Sequence, residues 1–326
     1  VPDVYTNQGS LDYAKTAYDL MAYFALRPEL YFDAVADVKP SNQSMAGATV
    51  QFTIQADLSF VSTSLNESQD VSAVAMSDST VSLTLAEYGN AVITTALGRG
   101  TSFLDIDQLV TNVIGYNAGG SLDTIARNVL QAGTNVNYAA GNGANTATAR
   151  NQVAPANTLV AADIRNAKAT LLRNNVPTIG GYYLAFIHPD AAYDLQGQTG
   201  TNAWSDPHAY SQPDEIWNGE IGAFQGFRFI TTPRAPIFAD AGSSTTLTDV
   251  YRTICLGRQA LAKAYSYVDG NGEYPTVVPG PITDHLRRFV PWGWYWLGAY
   301  GIFRQSALLG IESSSSIGLN GQSGSH

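Results

Sequence analysis

Thr49–Phe60 reads TVQFTIQADLSF. Val50, Phe52, Ile54, Ala56, Leu58 and Phe60 fall on one face, and Gln51, Thr53, Gln55, Asp57 and Ser59 on the other. A period of two marks a half-buried strand. The polar run SLNESQD (64–70) reads as a turn. Val81, Leu83 and Leu85, with Ser82 and Thr84 opposite, predict a return strand. The result is a long hairpin over residues 47–95. A two-stranded hairpin is at best marginal alone in water. Its apolar face needs a partner, either elsewhere in the chain or on another subunit.

Composition narrows the choice of partner. The chain has 326 residues, of which 45% are hydrophobic and 13% charged. That charge content is about half of the ~25% usual in globular domains. Such a surface suits a protein whose faces are covered by neighbours, because charge is what keeps free monomers apart. It also suits a neutral β-rich secreted or virion protein, and composition leaves both readings open. The formal net charge is −10, with only four lysines, Lys15, Lys39, Lys168 and Lys263. No basic block is present, which argues against tight, direct nucleic-acid binding. The single cysteine, Cys255, excludes an internal disulfide and a cysteine metal site. Its apolar setting reads as a buried inert thiol. Phe289–Phe303 is the longest strongly apolar run, and it is shorter than the ~20 residues a spanning helix requires. No membrane partner is expected, and the N-terminus carries no secretory-signal pattern.

Residues 1–46 read as an arm with a helical patch over Tyr13–Arg27. SLDTIARNVLQAG (121–133) predicts a helix with Ser121 as N-cap and Gly133 just past its end. DIDQLVTNVIGY before it reads as an earlier part of the same helix, interrupted near AGG (118–120). Val160, Ile164, Ala167 and Leu171 step at helical spacing, so a second amphipathic helix is expected at 159–174. A buried strand at Tyr182–Ile187 and a short helix after Pro189 follow, then an irregular helix over TNAWSDPHAY (201–210). NGEIGAFQGFRFITTPRA (218–235) reads as strand, turn at Gly226, strand. Residues 236–248 read as a loop, and VYRTICLGRQALAKAY (250–265) as a strand followed by a helix. Trp292, Trp294 and Trp296 alternate as a strand does. No internal repeat is present. The class is α+β.

Catalytic chemistry finds little support. The four histidines, His188, His208, His285 and His326, have no partners at ligand spacing, and HExxH, G-x-S-x-G and GxxxxGK[ST] are all absent. DGNGEY (269–274) reads as a β-turn rather than a calcium loop. His188-Pro189-Asp190 reads as a strand end followed by a helix start, with Pro189 at the first helical position and Asp190 in the first turn. Glu220 is expected to clamp its turn through backbone N–H groups, or to pair with Arg228 or Arg234. The tryptophans suit a sheet packed under a helix better than a sugar platform. No catalytic, metal or cofactor site is expected.

Five segments, in order, carry a family resemblance: TLAEYGNAVITT (84–95), SLDTIARNVLQAGTNVNYAAG (121–141), TLVAADIRNAKATLLRNNVPTIGGYYLAFIHPDAAYDL (158–195), NGEIGAFQGFRFITTPRA (218–235) and GWYWLGAYGIFRQSALLGIES (293–313). Together they resemble the major capsid proteins of tailed bacteriophages with the HK97-like capsid fold, most of all the N4-like podoviral branch. The resemblance implies an N-terminal arm (1–46), an E-loop hairpin (47–98), a P domain with a spine helix (99–153 and 286–312), an A domain (154–285) and a flexible tail (313–326). It implies a non-enzymatic protein that self-assembles into hexamers and pentamers of an icosahedral head. The head would be assembled in the host cytoplasm and would enclose double-stranded DNA without sequence-specific binding. Portal, scaffolding and cement proteins are the further partners implied. Phe52, Ile54, Leu58 and Phe60 are the candidate contacts between subunits, and an Asp at Phe52 or Ile54 is expected to block assembly in a folded subunit. Glu220 and Arg228 form the candidate structural clamp. Two other readings remain: an encapsulin-like compartment shell, and a hydrolase or sugar-binding module built on His188, Glu220 and the tryptophans.

Overall fold

The computed structural model describes residues 30–317 apart from 41–48, 72, 103–105, 142–146, 199–219, 246, 267–271, 282–283 and 287. The expected helices over Tyr13–Arg27 and TNAWSDPHAY, the first half of the DGNGEY turn and the end of the tail lie outside the described residues. In chain order the elements are β1 (Ala36–Pro40), β2 (Thr49–Gln55), β3 (Asp78–Thr84), β4 (Ala86–Thr95), α1 (Ala96–Thr101), α2 (Ile106–Gln131) and β5 (Val136–Tyr138). There follow α3 (Ala161–Arg173), β6 (Tyr183–Ile187), α4 (Pro189–Gln196), β7 (Glu220–Phe224), β8 (Phe227–Thr231) and β9 (Ile237–Phe238). The chain ends with β10 (Val250–Leu256), β11 (Leu261–Tyr265), β12 (Val277–Pro279), β13 (Phe289–Ile302) and β14 (Leu308–Ser313).

Two sheets organise these strands. One is built on β13, which pairs antiparallel with β4, β11 and β12, while β1 lies parallel on β11. The other runs β5-β14-β10-β6-β8-β7, with β9 added to β10. The β2–β3 hairpin is a separate two-stranded unit. Its successor, β4, docks on β13 in register from Thr95↔Phe289 to Ala86↔Gly298.

Helix α2 is one uninterrupted helix of 26 residues, about 39 Å long at 1.5 Å per residue. It lies on β13. Ile114, Ala118, Leu122, Ala126 and Leu130 recur every four residues and are buried. Burial of that stripe offsets the cost of Gly119 and Gly120, about 1 kcal/mol each in a helix interior. Gly119 also has a positive role: a Cβ there would meet Leu30 Cδ1 at 3.1 Å, so its absence lets the 30–35 segment lie against the helix. The expected break near AGG is therefore absent. Ser121 is not an N-cap but a mid-helix residue whose hydroxyl donates to the Asn117 carbonyl at 2.7 Å.

Two further expectations change. Strand β2 stops at Gln55 although the alternation continues to Phe60. Its partner β3 begins at Asp78, opposite Gln55, so residues 56–60 have no ladder to join. RQALAKAY is not helical: β11 covers Leu261–Tyr265 and pairs with β1 on one edge and β13 on the other. Its Ala, Leu and Lys are helix formers, and ladders on both edges with burial on both faces override that local preference.

Helix α3 is anchored at its N-terminus by one of its own side chains. The Asp163 carboxylate accepts the Val160 N–H at 3.2 Å and the Ala140 N–H at 3.3 Å, fixing the helix start to the loop after β5. Ile164, Ala167 and Leu171 are fully buried, as their spacing predicts.

Candidate assembly surfaces

The β2–β3 hairpin is apolar on one face, and that face is partly covered by its own chain. Val50, Phe52 and Leu83 pack against Ala262, Ala264 and Ala299. On β11 the alanines alternate with Leu261, Lys263 and Tyr265, so one face of this strand is shallow enough to receive large hairpin side chains. The Phe52 and Phe303 rings lie 5.4 Å apart, and Lys39 Nζ sits 5.3 Å from the Phe52 ring. Phe52 is only 8% exposed. This corrects the expectation that an Asp at Phe52 leaves a folded subunit, because the substitution would bury a charge inside the chain.

Beyond β2 the situation reverses. Ile54, still within β2, is half-buried, whereas Leu58 and Phe60 lie exposed on the 56–77 segment, Phe60 completely so. Val61, Leu65, Val71, Val74 and Met76 are exposed on the same segment. The alternation put Leu58 and Phe60 on a strand face and gave no sign of the other five, whose spacing follows no period. A cluster of exposed apolar side chains on one extended segment is the signature of a surface that another molecule covers. A second exposed apolar group, Val92, Ile93, Leu97, Leu286 and Phe289, gathers where β4 runs into α1 and β13 begins.

The Glu220 region is a β-hairpin. Gln225 and Gly226 have φ of 52° and 86°, which makes the two-residue β7–β8 connection a turn with both central residues left-handed, matched to the strand twist. Glu220 is opposite Ile230 in the ladder, and Arg228 is opposite Ala223. The Glu220 side chain lies outside the described residues. Arg234, the alternative partner expected for Glu220, is engaged elsewhere. Its guanidinium meets the Asp123 carboxylate on α2 at 3.0 Å and donates to Gly120 O and Thr124 Oγ1.

His188 caps α4: its Nδ1 accepts the Asp190 N–H at 3.2 Å, and Pro189 occupies the first helical position. Asp190 accepts the Tyr251 hydroxyl at 2.9 Å. Burial first, and then this carboxylate, push the Tyr251 phenol upward. These are the contacts of a folded junction between β6, α4 and β10. Trp294 and Trp296 are buried, and the Trp294 indole donates to Asn117 on α2 at 3.0 Å, as a sheet packed under a helix requires. Cys255 is fully buried, and desolvation pushes its thiol up to about 12. Among the described residues, no group of three His, Cys, Asp or Glu is placed to hold a metal ion.

Three buried charge clusters escaped sequence reading. Glu312 on β14 takes a two-point contact from Arg150, at 2.6 and 3.0 Å, and an ion pair from Arg252 at 3.2 Å. Asp123 is held by Arg234 and by the Phe32 N–H at 2.7 Å. Lys263 is held by Asp33 at 2.9 Å. Glu312 and Lys263 shared one available signal, a charged residue inside an otherwise apolar strand, and Asp123 carried none.

Comparison with known proteins follows from this geometry. A family model described as phage capsid protein matches residues 7–313. No curated protein sequence matches significantly. Among solved structures, the fold is similar to the capsid of Ralstonia phage GP4, with a TM-score of 0.74, 15% identity, and coverage of 93% of this chain and 95% of that one. It is similar to the capsid of Helicobacter pylori bacteriophage KHP30, with a TM-score of 0.70, 12% identity, and coverage of 95% and 98%. The capsid of cyanophage Pam1 matches with a TM-score of 0.69, 14% identity, and coverage of 93% and 97%.

Proposed function

The chain belongs to the phage capsid protein family, and from that premise we propose that its subunits form the hexamers and pentamers of an icosahedral shell around double-stranded DNA, each hairpin reaching across a neighbouring subunit. It is a major capsid protein with the HK97-like fold, a structural component of the phage head and not an enzyme. Capsid assembly means that it associates with itself.

The observation that supports the finer reading is the exposed apolar segment beyond β2. Among the described residues, Leu58, Phe60, Val61 and Leu65 are half to fully exposed, and a second copy is the partner that every shell supplies. Obligate contacts of this kind bury on the order of 2,000–5,000 Å². The low charge content is consistent with burial over several faces.

In the same proposal the N-arm is 1–46, the E-loop 47–98, the P domain 99–153 with 286–312, the A domain 154–285 and the tail 313–326, with α2 as the spine helix. Strands β11 and β12 then share a sheet with β13 of the P domain, while β14 completes the A-domain sheet. The N4-like podoviral branch is the finer family assignment that the five ordered segments favour. Portal, scaffolding and cement proteins complete the proposed partners, and assembly takes place in the host cytoplasm.

Electron microscopy of the purified full-length protein tests the reading. Closed shells or rings of six and five subunits are expected. A protein that stays monomeric at every concentration and salt condition that supports folding overturns it.

A further inference from the structure

The segment 30–40 crosses the molecule as a strap. It passes over α2, where Phe32 is fully buried, and then joins β11 as the parallel edge strand β1. Asp33 opens the 3-10 turn Asp33–Val35 that runs into β1. Its carboxylate lies against Lys263, whose Nζ is 2.9 Å from Oδ1 and 3.1 Å from Oδ2. Lys263 is the middle residue of β11 and is fully buried.

The surroundings of this pair are unusual for a plain ion pair. Tyr300, directly opposite Lys263 in the β11–β13 ladder, donates its hydroxyl to the same Asp33 Oδ1. Glu273 Oε1 lies 4.0 Å from Nζ. The Tyr274 ring covers the amine at 4.1 Å, and the Tyr300 and Trp296 rings stand at 5.6 and 5.9 Å. An amine and a carboxyl are thus held in contact under an aromatic roof. A hydrogen-bond donor lies on the carboxyl and a second carboxylate within reach of the amine.

We propose that Lys263 and Asp33 condense into an isopeptide bond that fastens the strap covalently to the sheet. The chemistry balances within the site. A proton passes from the ammonium to the Asp33 carboxylate along their hydrogen bond, leaving a neutral amine and a carboxylic acid, the pair between which an amine can attack a carboxyl carbon. Rotation about the Asp33 Cβ–Cγ bond turns the carbonyl face to Nζ. The Nζ lone pair forms a bond to Cγ while Tyr300 stabilises the oxygen that gains charge. Glu273 takes a proton from Nζ and returns it to the departing hydroxyl. The Cγ–O bond breaks, one water leaves, and Glu273 ends as it began. No oxidant, metal or cofactor enters. The fold supplies the drive by holding the reactants at contact distance, the equivalent of a very high local concentration. It also replaces a buried pair of charges with a neutral amide.

The Tyr300 phenol suits this role. Burial and the Asp33 carboxylate push its ionisation upward, so it remains a donor. Tyr274 is pushed up to about 12, by burial first and then by Asp33 and Glu273, and stays neutral as a cover.

The bond is independent of shell assembly and is read by mass. Intact mass spectrometry of the denatured full-length protein should show the sequence mass less one water. Proteolysis should yield a branched peptide joining the Asp33 segment to the Lys263 segment. Lys263→Arg keeps the positive charge and should restore the full mass. Glu273→Gln should slow closure and leave a mixture of linked and open chains. Asp33→Asn should give the same branched peptide with loss of ammonia in place of water. A wild-type chain at full mass with separate Asp33 and Lys263 peptides overturns the proposal, whether or not any variant folds. So does a water loss that maps elsewhere or persists in Lys263→Arg.

Discussion

Asp123 on α2 and Arg234, just past the end of β8, form an ion pair at 3.0 Å in which the carboxylate is 1% exposed. The pair joins the helix on the β13 sheet to the β10 sheet, and the Phe32 N–H on the strap shares the same carboxylate. Burial pushes Asp123 above the usual carboxylate range, more than Phe32 and Arg234 draw it down. The site therefore contributes position more than strength. Removing one partner still leaves the other charge buried and unmatched.

Arg234→Ala is accordingly expected to cost about 3–5 kcal/mol of subunit stability. Replacing both residues with apolar ones of similar volume should cost much less. Denaturant titration of the unassembled subunit measures both. Equal losses in the single and double variants would show that the pair does not act as a unit.

Phe52 and Phe60 are eight residues apart on the same apparent face, and their substitutions should separate. Phe52→Ala removes a ring packed on Phe303 and the alanine floor, at about 3–5 kcal/mol. Phe60→Asp alters a fully exposed side chain and should leave subunit melting unchanged while preventing closed shells. Wild-type shell yield for Phe60→Asp, counted by electron microscopy, would falsify the hairpin contact.

Asp163 carries a pH dependence of defined sign. Burial pushes its carboxyl above the ordinary 3.8, outweighing the Ala140 and Val160 N–H bonds. A carboxyl raised in the folded state binds its proton more tightly there than in the unfolded chain. Its contribution is therefore greatest below 3.8 and falls as pH climbs through the raised value. The stability of wild type relative to Asp163→Asn should decline as pH rises from below 3.8 through the raised value. A flat or rising difference across that window contradicts the assignment.

Cys255 should be silent in the folded protein. With its thiol fully buried and pushed up to about 12, thiolate is scarce and inaccessible. A thiol reagent is expected to label it at the rate of unfolding and no faster. Rapid labelling of the native subunit would show that β10 opens locally.

Much of this was legible in local pattern. The alternation at Val50–Ile54, the four-three-four spacing in α3, the Trp294–Trp296 alternation and the glycine of the β7–β8 turn each reflect a period or backbone requirement contained in a few residues. What was not legible depends on partners far away. The end of β2 is set by where β3 starts, not by the Leu58–Phe60 alternation. Ala260–Tyr265 has helical propensity and becomes a strand because β1 and β13 flank it. Asp123 and Arg234 are 111 residues apart, and nothing local distinguishes Asp123 from a first-turn helix charge.

Strand β13 is gripped along its whole length. β4 holds 289–298 on one edge, while β12 and β11 hold 292–294 and 298–302 on the other. A pull along the strand strains all of these bonds together, in shear, instead of peeling them one after another. In a wall stretched from within, tension crosses this sheet without unzipping it. Whatever give the wall has must then come from elements joined at one end only, first among them the β2–β3 hairpin.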